Sequence, residues 1–181
     1  MFSWELLEPF QQRMARARAD DDPQFAAAVQ RIAATPPEAV ALREMRDLEC
    51  RVLADEHSSS FAQQARFWYL IGRAYASQQR SSQALEALRL SIRAFDKVRP
   101  PDLVVGAHLR YAFAVLAQEK KRFLPGLSAC NEAIDTLQQL LKQPNAPGEA
   151  QRWQTALAEA HRLHQDLLAA MIDEEGGTEP E

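Results

Sequence analysis

One shift along the chain constrains its fold more than any other feature. Residues 42 positions apart match in size. Phe67 pairs with Leu109, Tyr69 with Tyr111, Ile71 with Phe113 and Gly72 with Ala114. Further on, Ala84 pairs with Gly126, Leu85 with Leu127, Leu88 with Cys130 and Ile92 with Ile134. Trp68 against Arg110 and Tyr75 against Ala117 are the departures. Small opposite small and large opposite large describes one structural unit used twice. Trp68, Ile71 and Tyr75 recur at helical spacing on one face, so the unit is helical.

The rest of the chain agrees. Ala, Leu, Gln, Arg and Glu dominate, and the scarce β-branched residues never alternate as in a strand. Prolines mark the joints. Asp22-Pro23 reads as an N-cap followed by proline at the first helical position. Thr35-Pro36-Pro37-Glu38 and Ser60-Phe61-Ala62-Gln63 both read as capping boxes. Pro100-Pro101, Pro144 and Pro147 break the chain again, and Pro125 falls where a first helical turn tolerates it. The expected helices cover about 3–18, 24–34, 38–56, 60–78, 81–98, 102–119, 123–142 and 149–173. Short connections imply that successive helices pack antiparallel. The predicted fold is all-α, an antiparallel stack of helix hairpins forming one domain over 1–173. Residues 1–58 supply N-terminal helices, 60–142 the repeats and 149–173 a capping helix; an acidic tail, 174–181, is expected to be disordered.

Composition narrows the function. A length of 181 residues suits one domain. A net charge of −4 argues against nucleic-acid binding, and no uncharged apolar run approaches the ~20 residues that span a bilayer. The N-terminus MFSWELLEPF carries Glu5 and Glu8 and no basic segment, unlike a signal peptide. With only Cys50 and Cys130, the chain reads as cytoplasmic and reduced.

The pattern Trp68, Ile71, Gly72, Tyr75, Ala84, Leu88 resembles the tetratricopeptide repeat, W-x2-L-G-x2-Y followed by alanine and a large residue. One such repeat is identified at 65–98 and a degenerate second at 107–140. Small residues at Gly72 and Ala84 permit close approach of the two helices. Gln79 stands where the family prefers glycine in the turn. The offset exceeds the usual 34, which implies helices lengthened through KVRPPDLVVG. The last helix, with Trp153, Leu157, Ala160, Leu163, Leu167 and Met171 in register, resembles the cap that such stacks need.

The resemblance implies a concave face on the first helix of each repeat. By position that face holds Arg66, Tyr69, Arg73 and Ser77, then His108, Tyr111, Val115 and Gln118. Arg66, Tyr69, Arg73, His108, Tyr111 and Gln118 are the candidate partner-binding residues. The equivalent tyrosines suit interface anchors, and Arg66 with Arg73 suits a carboxylate or an acidic peptide. The asparagine of the family's carboxylate clamp is absent: Arg73 or Val115 occupies its place. The competing reading makes the tyrosines packing residues and pairs the arginines with nearby acids.

No Cys–His signature, G-x-S-x-G motif or glycine-rich phosphate loop occurs. Cys130 falls on a buried repeat position, and His161 with His164 is a weak seed for a metal site. No cofactor and no metal is expected. The apolar N-terminal helix, with Phe2, Trp4, Leu6, Leu7, Phe10 and Met14, is expected to close its end of the stack; docking on a partner, a second copy or a membrane surface is the alternative. The sequence therefore points to a non-enzymatic adaptor or chaperone that takes a peptide or helix of another protein. By size and layout it looks like bacterial chaperones of secretion substrates, and its Ala/Arg/Gln-rich usage is compatible with a bacterial source. The rival readings are a regulatory repeat domain sensing a short peptide and a metal-dependent enzyme built on His161 and His164.

Overall fold

The computed structural model describes residues 22–53, 60–145 and 148–176. The expected helix over 3–18 lies outside these residues. The described residues are all-α, with no strand among them, and they cluster into two compact units that divide between Pro101 and Asp102.

The first unit contains α1 (Pro23–Ala34), a 3-10 turn (Pro37–Ala39), α2 (Leu42–Leu53), α3 (Phe61–Ser77) and α4 (Ser81–Phe95). Helix α1 starts as its sequence dictates. The Asp22 carboxylate accepts from the Gln24 and Phe25 amides, and Pro23 occupies the first turn. Its buried residues, Phe25, Ala28, Val29 and Ile32, form one helical stripe facing α3. The Phe25 and Phe67 ring centroids lie 5.5 Å apart, and Phe67 meets Trp68 edge-on at 5.0 Å.

The expected capping box at Thr35–Glu38 does not form. Thr35 Oγ1 instead donates back to the Arg31 carbonyl at 2.8 Å, and the two prolines leave only a 3-10 turn before α2 begins at Leu42. Gln78 Nε2 donates to the Pro37 and Val40 carbonyls and ties that turn to the end of α3.

Helices α3 and α4 form a tight hairpin. Gly72 sits at its crossing: a Cβ there would lie 3.4 Å from the Ala84 carbonyl oxygen and 3.4 Å from Leu88 Cγ. Ser91 Oγ closes the seam by donating to the Ala65 carbonyl at 2.7 Å. Helix α4 stops at Phe95, short of the expected 98. The Lys97 and Val98 amides there turn to carbonyls three residues back, and the Arg99 guanidinium caps the Asp96 and Val98 carbonyls just ahead of the proline pair.

The second unit contains α5 (Leu103–Glu119), α6 (Phe123–Leu141) and α7 (Glu149–Gly176). Pro125 falls in the first turn of α6 without breaking it. Gly126 brings α6 close to its neighbours: a Cβ would lie 3.2 Å from Ala117 Cβ and 3.3 Å from Leu167 Cδ2. Helix α7 covers α6 with Ala160, Leu163 and Leu167, all buried, the stripe expected of the final helix. Its backbone continues to Gly176, into the segment expected to be disordered.

The 42-residue shift holds through the backbone. Helices α5 and α6 begin 42 positions after α3 and α4, and α5 also ends 42 after α3. Ser60 Oγ accepts from the Gln63 amide, and Asp102 accepts from the Val105 amide. Both hairpin turns use the Schellman arrangement. Arg80 N–H reaches the Tyr75 carbonyl and Arg122 N–H the Ala117 carbonyl, each at 2.8 Å. Gln79 and Lys121, the equivalent residues between helices, take left-handed φ values of 59° and 54°. Helix α4 ends at Phe95 and α5 starts at Leu103. Residues 96–102 are therefore a connection, where lengthened helices were expected.

Candidate functional site

Helix α3 carries Arg66, Tyr69, Arg73 and Ser77 along one stripe, but the stripe is open only toward its C-terminal end. Tyr69 is fully buried and Arg66 retains 4% of its exposure. Arg73 is half-buried, and Ser77 is exposed, with its hydroxyl donating to the Ala74 carbonyl. The sequence expectation turned Tyr69 outward as an anchor; the structure gives it no outward surface. Buried residues run almost continuously from Ala65 through Tyr75, because α1, the 3-10 turn and α4 all pack on α3. Helical periodicity identifies a face that one neighbour covers, and it underestimates burial when several neighbours do.

Helix α5 differs. His108, Tyr111, Val115 and Gln118 are all half-buried, so the stripe keeps accessible surface along its length. The His108 ring lies 6.3 Å from that of Trp153 on α7. Burial lowers the His108 pKa while Asp102 pulls the other way, so a neutral imidazole is favoured at neutral pH. Burial, with Glu159 and Cys130 adding to it, raises the Tyr111 pKa, keeping its hydroxyl protonated. This stripe offers rings, a hydroxyl and an amide but no permanent charge.

Sequence patterns miss two features of the first unit. Tyr75 donates its hydroxyl to Glu49 Oε2 at 3.2 Å. Burial and the carboxylate push the tyrosine pKa up to about 12, and burial raises that of Glu49. The second is the seating of Arg66. One guanidinium nitrogen, Nη2, donates to Gln30 Oε1 at 3.0 Å, while Nε makes no hydrogen bond and neither does the buried Oε1 of Gln63. Gln30 and Glu49 lie 36 and 26 residues from their partners, in helices that carry no recognisable repeat, so no local spacing announces them.

Cys130 donates its thiol to the Ala160 carbonyl at 3.2 Å, and burial raises its pKa to about 11. That is a packed core thiol, not an activated nucleophile. Cys50 is exposed, and both cysteines are free. His161 is exposed and His164 half-buried; among the described residues no three His, Cys, Asp or Glu side chains are grouped to hold a metal ion. No described helix is long and apolar enough to cross a membrane. Compared with family models, with curated proteins and with solved structures, the chain matches none.

Proposed function

We propose that this chain is a non-enzymatic interaction module of tetratricopeptide-repeat type, an adaptor or chaperone that binds a peptide or helix of a partner protein. The observation that carries the proposal is the reuse of one backbone template, with matching caps and matching Schellman turns, in two successive hairpins. Solenoids of such hairpins present the first helix of each to partners. Within that template, α5 keeps His108, Tyr111 and Gln118 accessible, an amphipathic set of the kind that anchors interfaces. On α3 the contribution falls to Arg73 and to the guanidinium of Arg66, with Tyr69 serving the core.

The test is affinity capture with the full chain from its native host, followed by mass spectrometry, repeated with Tyr111→Ala and with His108→Ala. The expected result is a defined protein partner captured by the unmodified chain and lost with Tyr111→Ala while helical content and Tm hold. Capture that persists unchanged in both variants would overturn the assignment to α5.

A further inference from the structure

Several arginines among the described residues pair with an acid. Arg31 reaches Glu44 at 2.7 Å, Arg110 reaches Glu132 at 2.6 Å, and Arg89 pairs with Glu86. Arg66 is the one buried arginine among the described residues, and it has only the neutral oxygen of Gln30. Burial lowers its pKa, and no acidic neighbour counters that pull. A buried cation without a counterion is costly, and an apolar residue of similar volume is usually the more stable occupant.

The pattern of what is bonded indicates what the site accepts. In a guanidinium, Nε–H and one Nη2–H run parallel and together match the two oxygens of a carboxylate. At Arg66 the Nη2 prong is held by a single amide oxygen, and the adjoining Nε prong makes no bond. Gln30, which holds the first prong, is itself exposed, so its side chain is free to swing away. Three residues before Arg66, and therefore on the same helical face, Gln63 Oε1 is a buried acceptor that also makes no bond. It was expected to close the capping box on Ser60. The Ser60 half of that box forms, with the Gln63 amide, and the return bond from the glutamine side chain does not.

We infer that Arg66, with Gln63 beside it, is a receptor for an acidic side chain of a bound peptide, taken when Gln30 yields its place on Nη2. The carboxylate of a Glu or Asp fills Nε and Nη2 together, and an N–H of the same peptide satisfies Gln63 Oε1. The pairing of an anion with a donor favours a peptide over a free inorganic anion. This inference deepens the reading of the chain as a peptide-binding module and rests on it. It names the ligand's chemistry at a position that sequence alone placed on an open face.

The experiment follows the Arg66 Nε–H NMR signal of the ¹⁵N-labelled full chain, assigned through Arg66→Met, during titration with a hexaglutamate peptide. A saturable shift is expected, with none for hexaglutamine. Gln30→Glu supplies the carboxylate from within: it is expected to raise Tm and to weaken hexaglutamate binding by about tenfold or more, as for a charged pair already engaged. An unmoved Arg66 signal, an unchanged affinity in Gln30→Glu, or an equal response to inorganic phosphate would each overturn the inference. The broader reading fails separately. If partner capture survives Arg66→Met and Gln30→Glu but not Tyr111→Ala, the interaction module stands and the acidic receptor falls. If hexaglutamate engages Arg66 while capture ignores Tyr111, the reverse holds.

Discussion

The hairpin α3–α4 and the hairpin α5–α6 share a frame and a size pattern, and they differ in the chemistry placed at particular positions. Each starts on a side-chain oxygen at its N-cap and turns through a left-handed residue, Gln79 or Lys121. Inside, Trp68 is buried where its counterpart Arg110 pairs with Glu132. Tyr75 reaches Glu49 where Ala117 merely packs. The glycines change sides. In the first hairpin Gly72 on the leading helix faces the carbonyl of Ala84; in the second, Gly126 on the trailing helix lies near the carbonyl of Ala114. Ala84 and Gly126 are equivalent positions, as are Gly72 and Ala114. Each crossing sets one glycine opposite one alanine, with the glycine on the leading helix in one copy and on the trailing helix in the other. Backbone satisfaction is therefore the conserved element between the two copies, and side-chain chemistry is exchanged within it.

The sharpest challenge to this comparison is at its most unequal pair. Trp68→Ala should cost about 3–5 kcal/mol, a large aromatic lost from a closed core. Arg110→Ala at the equivalent position should cost about 1 kcal/mol or less, because its Glu132 partner is largely solvated. Urea denaturation measures both, and similar losses would show that the two positions are not interchangeable in role.

The turns should behave alike. A left-handed non-glycine residue costs about 1–2 kcal/mol, and glycine returns part of that through unfolded-state entropy. Gln79→Gly and Lys121→Gly are therefore each expected to stabilise by about 0.5–1 kcal/mol. A gain at one turn and a loss at the other would break the shared frame.

The glycines should separate the copies again. Gly72→Ala meets its neighbours at 3.4 Å, an ordinary contact, so helix propensity should win by roughly 0.5–1 kcal/mol. Gly126→Ala meets Ala117 Cβ at 3.2 Å, and that crowding should cancel the gain. Thermal unfolding of the two variants distinguishes them.

The smallest effect is the pH dependence contributed by the Tyr75–Glu49 pair of the first unit. The Glu49 pKa is raised in the fold, so its ionised form is the less favoured one there. Its contribution is then greatest at acid pH and falls as pH rises through the folded pKa. Glu49→Gln should raise Tm slightly at pH 7, and the benefit should vanish below the ordinary carboxylate range. Tyr75, with its pKa near 12, should add a loss of stability as pH rises from 10 toward 12. Ala117 supplies no equivalent to either slope.

Much of the architecture was legible in the sequence. The caps at Asp22 and Ser60, the tolerated Pro125 and the apolar stripe of the last helix are local rules, and the structure follows them. The box at Thr35 failed because two prolines compete with it for the same turn. The candidate site was less legible. Tyr69 and Tyr111 occupy one repeat position, yet one is enclosed and the other accessible. What covers a helix depends on chain segments far away in sequence, and periodicity carries no record of them. The pairing of Arg66 with Gln30 is invisible for the same reason.

The two thiols give the chain an internal clock. Cys50 is open to solvent, whereas Cys130 is shut beneath α7 with its hydrogen held by Ala160. A thiol reagent should mark the first at once and the second only when α7 lifts from α6. The lag between the two labels would time that opening in the unmodified protein, with no probe added.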